Sequence, residues 1–336
     1  MSNSSGEGNL AVTSSPEGSS EIGDGADTAS SPVYRVGTSP WRQRLEISLL
    51  AGPAVLMFLA FVIFPVLLGG YYGFFKWKGF GPPTNFVGLQ NYVTILQDTT
   101  FHDAVRHNFI IVILSLVLQG PAAVLLALLL NQKMRGRSLV RVLIFVPYVI
   151  SEVIVGTGWA LMLQTTGAVN DLLTNIGLPN WTVDWLSDPK VAMASLMIII
   201  TWKYIGFAVI LFLAGLQSIP EELFEAAAID GASYWQSQRR ITLPLLGPTI
   251  RISVFLSIIG AIQVFDLVWV LTGGGPVNAS NTMAVYMIDW GFKRFQFGYA
   301  SAVAVIMLVI SLVFALLYQR FVLRRDIEGA LTTMGR

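Results

Sequence analysis

Residues 217–248 read QSIPEELFEAAAIDGASYWQSQRRITLPLLGP, and they separate two long apolar runs at roughly Val191–Leu216 and Ile250–Leu271. The part from Glu222 to Ala228 consists mostly of good helix formers. A stretch this long and this rich in helix signals is not a simple connection. It predicts an ordered segment outside the membrane, between two runs that cross it.

Capping residues divide the segment 217–248 into two short helices. Ser218 is followed three residues later by Glu221, and Ser233 by Gln236, which is the spacing of a capping box at a helix N-terminus. Gly231 lies between these two patterns, and glycine readily adopts the positive φ found where helices end. The segment therefore predicts a helix-turn-helix.

The first of these two helices has an apolar surface, to which Leu223, Phe224, Ala227 and Ala228 contribute. Such a surface can bind in a groove on a partner protein. The alternative is an interfacial helix lying on the membrane, which the two acidic residues near its start disfavour at an anionic lipid surface.

The rest of the chain is dominated by apolar runs. Hydrophobic residues make up 54% of the 336 residues and charged residues 12%, whereas soluble domains carry about 25% charged residues. Six runs reach the roughly 20 residues that a membrane-spanning helix needs, at roughly Ile47–Phe75, Phe109–Leu130, Val142–Leu163, Val191–Leu216, Ile250–Leu271 and Tyr299–Leu317. Backbone groups in lipid must be paired within their own segment. The fold class predicted is therefore an all-α membrane protein with six transmembrane helices.

Basic residues predict the orientation of these helices. Fourteen of the 21 Lys and Arg residues fall in the N-terminal segment, the second and fourth loops and the C-terminal end, six fall in the other loops, and Lys203 lies within a run. Basic residues favour the cytoplasmic side. We therefore expect both termini and the segment 217–248 to be cytoplasmic.

The two ends of the chain differ from its body. Residues 1–40 contain ten Ser and six Gly with a net charge of −4, a composition that is typical of disorder. We expect a disordered cytoplasmic tail at 1–40, a transmembrane domain at 41–325 and a short cytoplasmic C-terminal tail at 326–336.

Several classes of site are disfavoured by the composition. The absence of cysteine excludes disulfides, thiolate zinc sites and cysteine nucleophiles, and the net charge of +1 argues against nucleic-acid binding. His102 and His107 are five residues apart, which misses the helical spacing of zinc motifs. The glycines at 273–275 are not followed by the Lys-Ser or Lys-Thr of a phosphate loop. No catalytic residue, metal ligand or cofactor site is predicted in this chain.

The segment 217–248 resembles the "EAA" coupling loop of binding-protein-dependent ABC transporter permeases. The matching residues are Glu225, Ala226, Ala227, Asp230, Gly231, Ala232, Ile241, Leu243 and Pro244. The stretches 86–92, 271–276 and 298–302 are similar to the sugar-permease branch of that family, and in particular to the first permease of a heterodimeric carbohydrate importer of the maltose and glycerol-phosphate group.

This resemblance implies an ABC importer permease core and a set of partners. The loop is a helix-turn-helix that docks in a cytoplasmic ATPase dimer, which uses ATP and Mg²⁺, so that the permease itself is not an enzyme. The implied partners also include a second permease subunit and an extracytoplasmic substrate-binding protein. The implied location is the prokaryotic cytoplasmic (inner) membrane.

Polar and aromatic residues within the fourth and fifth runs are candidates for the substrate path. They are Trp202, Lys203, Tyr204, Gln263 and Asp266. An intramembrane charge is costly, so Lys203 and Asp266 either face a central cavity or form a structural ion pair. Gln263 and Asp266 are three residues apart and are expected to share a helix face. Aromatic rings beside hydrogen-bonding groups suit a sugar.

The sequence leaves two alternatives, a different substrate class and an intramembrane enzyme. The same scaffold would suit an importer of glycerol phosphate or a polyol, although a phosphate would call for a basic cavity and Lys203 is the one embedded basic residue. An intramembrane enzyme would need acidic and histidine side chains that converge in one cavity.

Overall fold

The computed structural model describes residues 40–132 and 135–323. The tails predicted at 1–40 and 326–336 thus lie outside the described residues, apart from Pro40. Within these ranges the regular elements are helices, with one isolated antiparallel bridge between Phe75 and Phe86. In chain order the helices are α1 (Ile47–Tyr72, extending back to Pro40), α2 (Gln90–Gln97), α3 (Thr99–Asn131), α4 (Arg137–Val149), α5 (Glu152–Met162), α6 (Ala168–Asn175), α7 (Ala192–Gln217), α8 (Glu222–Ile229), α9 (Tyr234–Leu245), α10 (Gly247–Gln263), α11 (Asp266–Leu271), α12 (Met283–Ile288) and α13 (Phe297–Leu323).

The chain divides into two units between Met57 and Phe58. The described part of the first unit is the helical stretch that begins at Pro40. All of the cavities and contacts discussed below belong to the second unit, which begins at Phe58.

In the described part of the chain, four helices are long and apolar enough to cross a membrane, namely α1, α3, α7 and α13. Two further candidates are bent pairs: α4 and α5 meet at 95°, and α9 and α10 meet at 62°. Up to six spans result if each pair counts as one. The run Val142–Leu163, predicted as one helical span, is broken between α4 and α5. The run Ile250–Leu271 is broken as well, because α10 ends at Gln263 and α11 begins at Asp266.

The break between α4 and α5 has an identifiable partner in Lys203. Pro147 lacks an N–H, and α4 ends two residues later at Val149. The Nζ atom of Lys203 donates hydrogen bonds to the carbonyl oxygens of Pro147 (3.0 Å), Tyr148 (3.0 Å) and Ile150 (2.5 Å). These carbonyls would otherwise be left without helical donors at the end of α4. Lys203 of α7 therefore supplies the hydrogen-bond donors that the end of α4 lacks.

Helix α7 is the most buried of the candidate spans and packs against α3 and α4. A Cβ added at Gly206 would lie 2.3 Å from the carbonyl oxygen of Ile144. The two backbones therefore approach each other as closely as a glycine permits. Ala123 and Ala127 of α3 and Phe212 of α7 belong to one buried cluster.

Polar contacts join Asp98, between α2 and α3, to α12 and α13. The hydroxyl of Tyr286 donates to Oδ2 of Asp98 (2.5 Å) and lies 2.8 Å from the hydroxyl of Tyr299. Burial, followed by the hydrogen bond to Asp98, raises the pKa of Tyr286. Tyr286 therefore stays neutral and keeps donating this hydrogen bond.

Candidate functional site

A cavity of about 250 Å³ lies among α3, α5, α7 and α10. Its apolar wall includes Ile111, Ile200 and the rings of Phe207 and Phe265. Its polar side chains are Ser115, Gln119, Glu152, Tyr204, Ser253, Ser257, Gln263 and Asp266. The cavity thus combines aromatic faces with hydroxyl, amide and carboxylate groups.

Three of the five residues predicted for the substrate path line this cavity: Tyr204, Gln263 and Asp266. Trp202 does not line it. Its ring packs edge-on against Trp159 with 5.5 Å between the ring centroids, and it is 40% exposed. Neighbouring residues of one helix point in different directions, which explains why Trp202 and Tyr204 have different surroundings.

Lys203 does not line the cavity either. It is 1% exposed, and its three hydrogen bonds go to carbonyl groups at the end of α4. Lys203 is thus placed at the end of α4 and not in the cavity wall, and its charge is close enough to Glu152 to interact with it.

Gln263 and Asp266 reach the cavity for a different reason from the one predicted. They do not share a helix face, because Gln263 ends α10 and Asp266 begins α11. The carbonyl of Val264, between them, accepts a hydrogen bond from Oγ1 of Thr282 (3.1 Å). The break therefore lies at the cavity wall, where irregular backbone is tolerated inside a membrane protein.

Glu152 is the first residue of α5, directly after the break that Lys203 closes. Its carboxylate accepts a hydrogen bond from the hydroxyl of Tyr204. Because Tyr204 also lines the cavity, this pair fixes the position of one aromatic ring and one carboxylate at the wall.

A single turn of π-helix at Ser115–Gln119 interrupts α3 beside the cavity. It lies just before Pro121, which cannot donate a backbone hydrogen bond. Ser115 and Gln119 are both buried and line the cavity. Such π turns are frequent at functional sites.

The segment 217–248 forms two helices, α8 and α9, that meet at Gly231 with φ of +73°. The capping box of Ser233 and Gln236 is confirmed at the start of α9. The predicted box of Ser218 and Glu221 was wrong. The hydroxyl of Ser218 donates to the carbonyl of Gly215 at the end of α7, and α8 begins at Glu222.

Most residues that carry the coupling-loop pattern are on the surface of this chain. Those exposed are Glu225, Ala226, Asp230, Gly231, Leu243 and Pro244, and those half-buried are Ala227, Ala232 and Ile241. Ile229 and Trp235 are also exposed, at 86% and 70%. Phe224, predicted as part of an open apolar face, packs instead against the cluster around Leu216 and Ile219. One side of the helix-turn-helix therefore packs on the helix bundle, and the other is open.

Comparisons with known proteins agree with this architecture. Residues 119–327 match the family described as "Binding-protein-dependent transport system inner membrane component". The chain belongs to this family. The match contains the cavity helices α5, α7 and α10 and the whole helix-turn-helix.

Relatives of this permease include proteins named for sugar transport. It is 34% identical over 313 residues to the diacetylchitobiose uptake system permease protein NgcF of Streptomyces coelicolor, covering 87% of this chain and 88% of that protein. It is 33% identical over 267 residues to the trehalose/maltose transport system permease protein MalF of Thermococcus litoralis, covering 79% and 90%.

A solved structure has the same fold. The permease is similar, with a TM-score of 0.73 and 28% identity, to a chain of a bacterial ABC transporter involved in the import of the acidic polysaccharide alginate, and covers 84% of this chain and 98% of that one. The fold is therefore that of an ABC importer permease, and the chain is a multi-pass membrane protein.

A larger cavity of about 650 Å³ lies between the first cavity and the helix-turn-helix of α8 and α9. It lies among α3, α9 and α10. Ser115, Ser253 and Ser257 line both cavities, while Trp235 and Gln238 of α9 line only the larger one. Nε2 of Gln132, just after α3, also donates to the hydroxyl of Tyr234 in α9 (3.0 Å). The helix-turn-helix is therefore joined to the helices that form the cavity.

Sequence reasoning left the serines of the cavity wall out of the site. Ser115, Ser253 and Ser257 are small polar residues within apolar runs, and such residues more often serve helix packing. Only the approach of α3 to α10 brings them together. Glu152 carried a usable signal, since a charge within an apolar run near Pro147 marks a helix start.

Proposed function

We propose that this permease is the membrane subunit through which an ATP-driven importer passes a neutral sugar. The observation that carries the proposal is the cavity of mixed aromatic and hydrogen-bonding groups between the broken helices. Phe207, Tyr204 and Phe265 offer faces for sugar C–H groups. The serines, Gln119 and Gln263 offer both donors and acceptors for hydroxyl groups.

The charge of the cavity favours a neutral sugar over an anionic one. Glu152 and Asp266 contribute carboxylates, and no Lys or Arg occurs among the described residues that line it. Carboxylates in a partly desolvated cavity repel a phosphate or a uronic acid. This argues against glycerol phosphate and against an acidic polysaccharide such as alginate, which the transporter of similar fold is involved in importing.

The helix-turn-helix of α8 and α9 is proposed as the docking element for a separate ATPase dimer, which uses ATP and Mg²⁺. Its outer side exposes apolar Ile229 beside charged Glu225 and Asp230, which suits a helix in a groove. In this proposal both termini and the helix-turn-helix face the cytoplasm, as the distribution of basic residues indicates.

Two further partners complete the proposed importer. A second permease subunit supplies the other half of the pathway. An extracytoplasmic binding protein delivers the sugar, and the alginate transporter has been solved in complex with an alginate pentasaccharide-bound periplasmic protein.

The substrate part of the proposal is tested by uptake in cells that carry the whole importer. Radiolabelled maltose, trehalose, diacetylchitobiose and glycerol 3-phosphate serve as probes, with Glu152→Gln and Asp266→Asn as variants. Asp171→Asn is the matched control, because Asp171 is exposed at the start of α6.

We expect uptake of at least one neutral sugar, a loss of that uptake in Glu152→Gln or Asp266→Asn, and wild-type uptake in the control. Efficient uptake of glycerol 3-phosphate in place of the neutral sugars would overturn the proposed substrate class. Unchanged uptake in both cavity variants would remove the carboxylates from the pathway.

A further inference from the structure

An open groove of about 350 Å³ runs between α4 and α7, apart from the cavity and from the helix-turn-helix. Nearly all of its wall is apolar, and the two side chains with hydrogen-bonding groups are Arg141 and Gln217. The wall residues include Arg141, Val142, Gly206, Ile210 and Gln217. None of them lines the substrate cavity.

The groove has the dimensions of a lipid chain. Its wall on α7 runs from Gly206 to Gln217, which is about 16 Å at the rise of an α-helix. One leaflet of the hydrocarbon core is about 15 Å thick. Val142 and Ile210 at the wall are 53% and 43% exposed, so the groove is open to the surrounding bilayer.

Arg141 places a positive charge in the groove. Its Nε and Nη2 atoms are buried and have no hydrogen-bond partner among the residues that the structure describes. The sequence from 131 to 151 contains four basic residues and no acidic one. Two of the three guanidinium nitrogens are thus removed from water without a partner, which is costly, and an anion in the groove would offset that cost.

We propose that this groove binds an anionic phospholipid, with an acyl chain along α7 and the phosphate group beside Arg141. A phospholipid is favoured over a protein partner because one molecule matches all three features: an apolar groove one leaflet long, a rim open to lipid, and a positive charge. The bond between Arg141 and the phosphate is an ion pair of the kind that arginine forms with phosphate oxygens.

Native mass spectrometry of the full chain, purified in detergent together with the subunits that accompany it, tests this proposal. The chain is titrated with phosphatidylglycerol or with phosphatidylcholine of the same acyl chains. Arg141→Gln removes the charge, and Arg141→Lys keeps it if the first variant fails to fold. Arg320→Gln is the control, since Arg320 is exposed near the end of α13.

We expect phosphatidylglycerol to bind in preference to phosphatidylcholine, and Arg141→Gln to lose roughly fivefold in affinity for it, the factor that one basic residue near a membrane surface contributes. Arg141→Lys and Arg320→Gln keep the preference. Equal binding of the two lipids to the wild type, or an undiminished preference in Arg141→Gln, would overturn the proposal.

Two further measurements separate this lipid from other occupants of the groove. If inorganic phosphate alone competes with phosphatidylglycerol for binding, the site takes a free anion and the lipid assignment is wrong. The chain has no cysteine, so Val142→Cys places a single thiol at the wall. Crosslinking of this thiol to another subunit would assign the groove to a protein interface instead.

Discussion

Replacing Lys203 with methionine tests whether this residue stabilises the end of α4 by donating hydrogen bonds to its carbonyl groups. The change keeps a long apolar side chain and removes the ammonium group that donates to Pro147, Tyr148 and Ile150. Each buried acceptor left unsatisfied costs about 1–3 kcal/mol, or about 3–9 kcal/mol for three. Relief from burying an ammonium group offsets several kcal/mol of this. We expect a net loss of about 2–4 kcal/mol.

The assay is thermal unfolding of the full chain in detergent, followed by size-exclusion chromatography. A loss of this size lowers Tm by about 4–16 °C at roughly 2–4 °C per kcal/mol. Lys190→Met is the matched control, because Lys190 is exposed and a surface change of this kind is worth about 0.5 kcal/mol or less.

The same two variants are then compared in sugar uptake at a temperature where both remain folded. A Lys203→Met protein that has the Tm of Lys190→Met but fails to transport would contradict this assignment. Lys203 would then act in the substrate path and not at the helix end.

Two further predictions concern the close packing of α4 on α7 and the N-terminal cap of α9. Gly206→Ala places a Cβ 2.3 Å from the carbonyl oxygen of Ile144, so we expect the free energy of unfolding to fall by roughly 1–3 kcal/mol in a thermal unfolding assay. Gly158→Ala, with no atom within 4 Å of its added Cβ, is the control, and an equal Tm for the two variants would contradict the packing of α4 on α7. Ser233→Ala removes the cap of α9, worth about 0.5–2 kcal/mol, and hydrogen exchange at the amide of Gln236 should accelerate roughly 2- to 30-fold; an unchanged rate would contradict the cap.

The sequence predicted the fold class and the helix-turn-helix because both depend on local patterns. Apolar runs longer than a bilayer is thick specify helices, and the capping box of Ser233 with Gly231 specifies a turn between two of them. The pattern failed at Ser218, where a hydroxyl that could cap α8 instead ends α7. The spacing of a capping box does not show to which of two adjacent helices the serine hydroxyl will form its hydrogen bond.

The breaks within the spans could not be predicted, because their stability comes from distant residues. Pro147 signals an interruption, yet the carbonyls at the break between α4 and α5 accept hydrogen bonds from Lys203, more than 50 residues away. Likewise, Gln263 and Asp266 seemed to share one helix face, whereas the chain breaks between them with a hydrogen bond from Thr282. The cavity lies at both breaks, which is why its lining was predicted only in part.

The most direct test of the central claim, that α8 and α9 couple this permease to a separate ATPase, compares two glycine substitutions. Gly231 and Gly177 both have positive φ (+73° and +83°), and neither has an atom within 4 Å of an added Cβ. Aspartate therefore imposes similar backbone strain at each position, but only Gly231 lies in the proposed docking element.

The measurement is the ratio of sugar-stimulated ATP hydrolysis to sugar uptake, made on the assembled importer in membrane vesicles. We predict that Gly231→Asp loses uptake relative to hydrolysis while still inserting in the membrane, and that Gly177→Asp keeps the wild-type ratio. A wild-type ratio and normal uptake in Gly231→Asp would contradict the account.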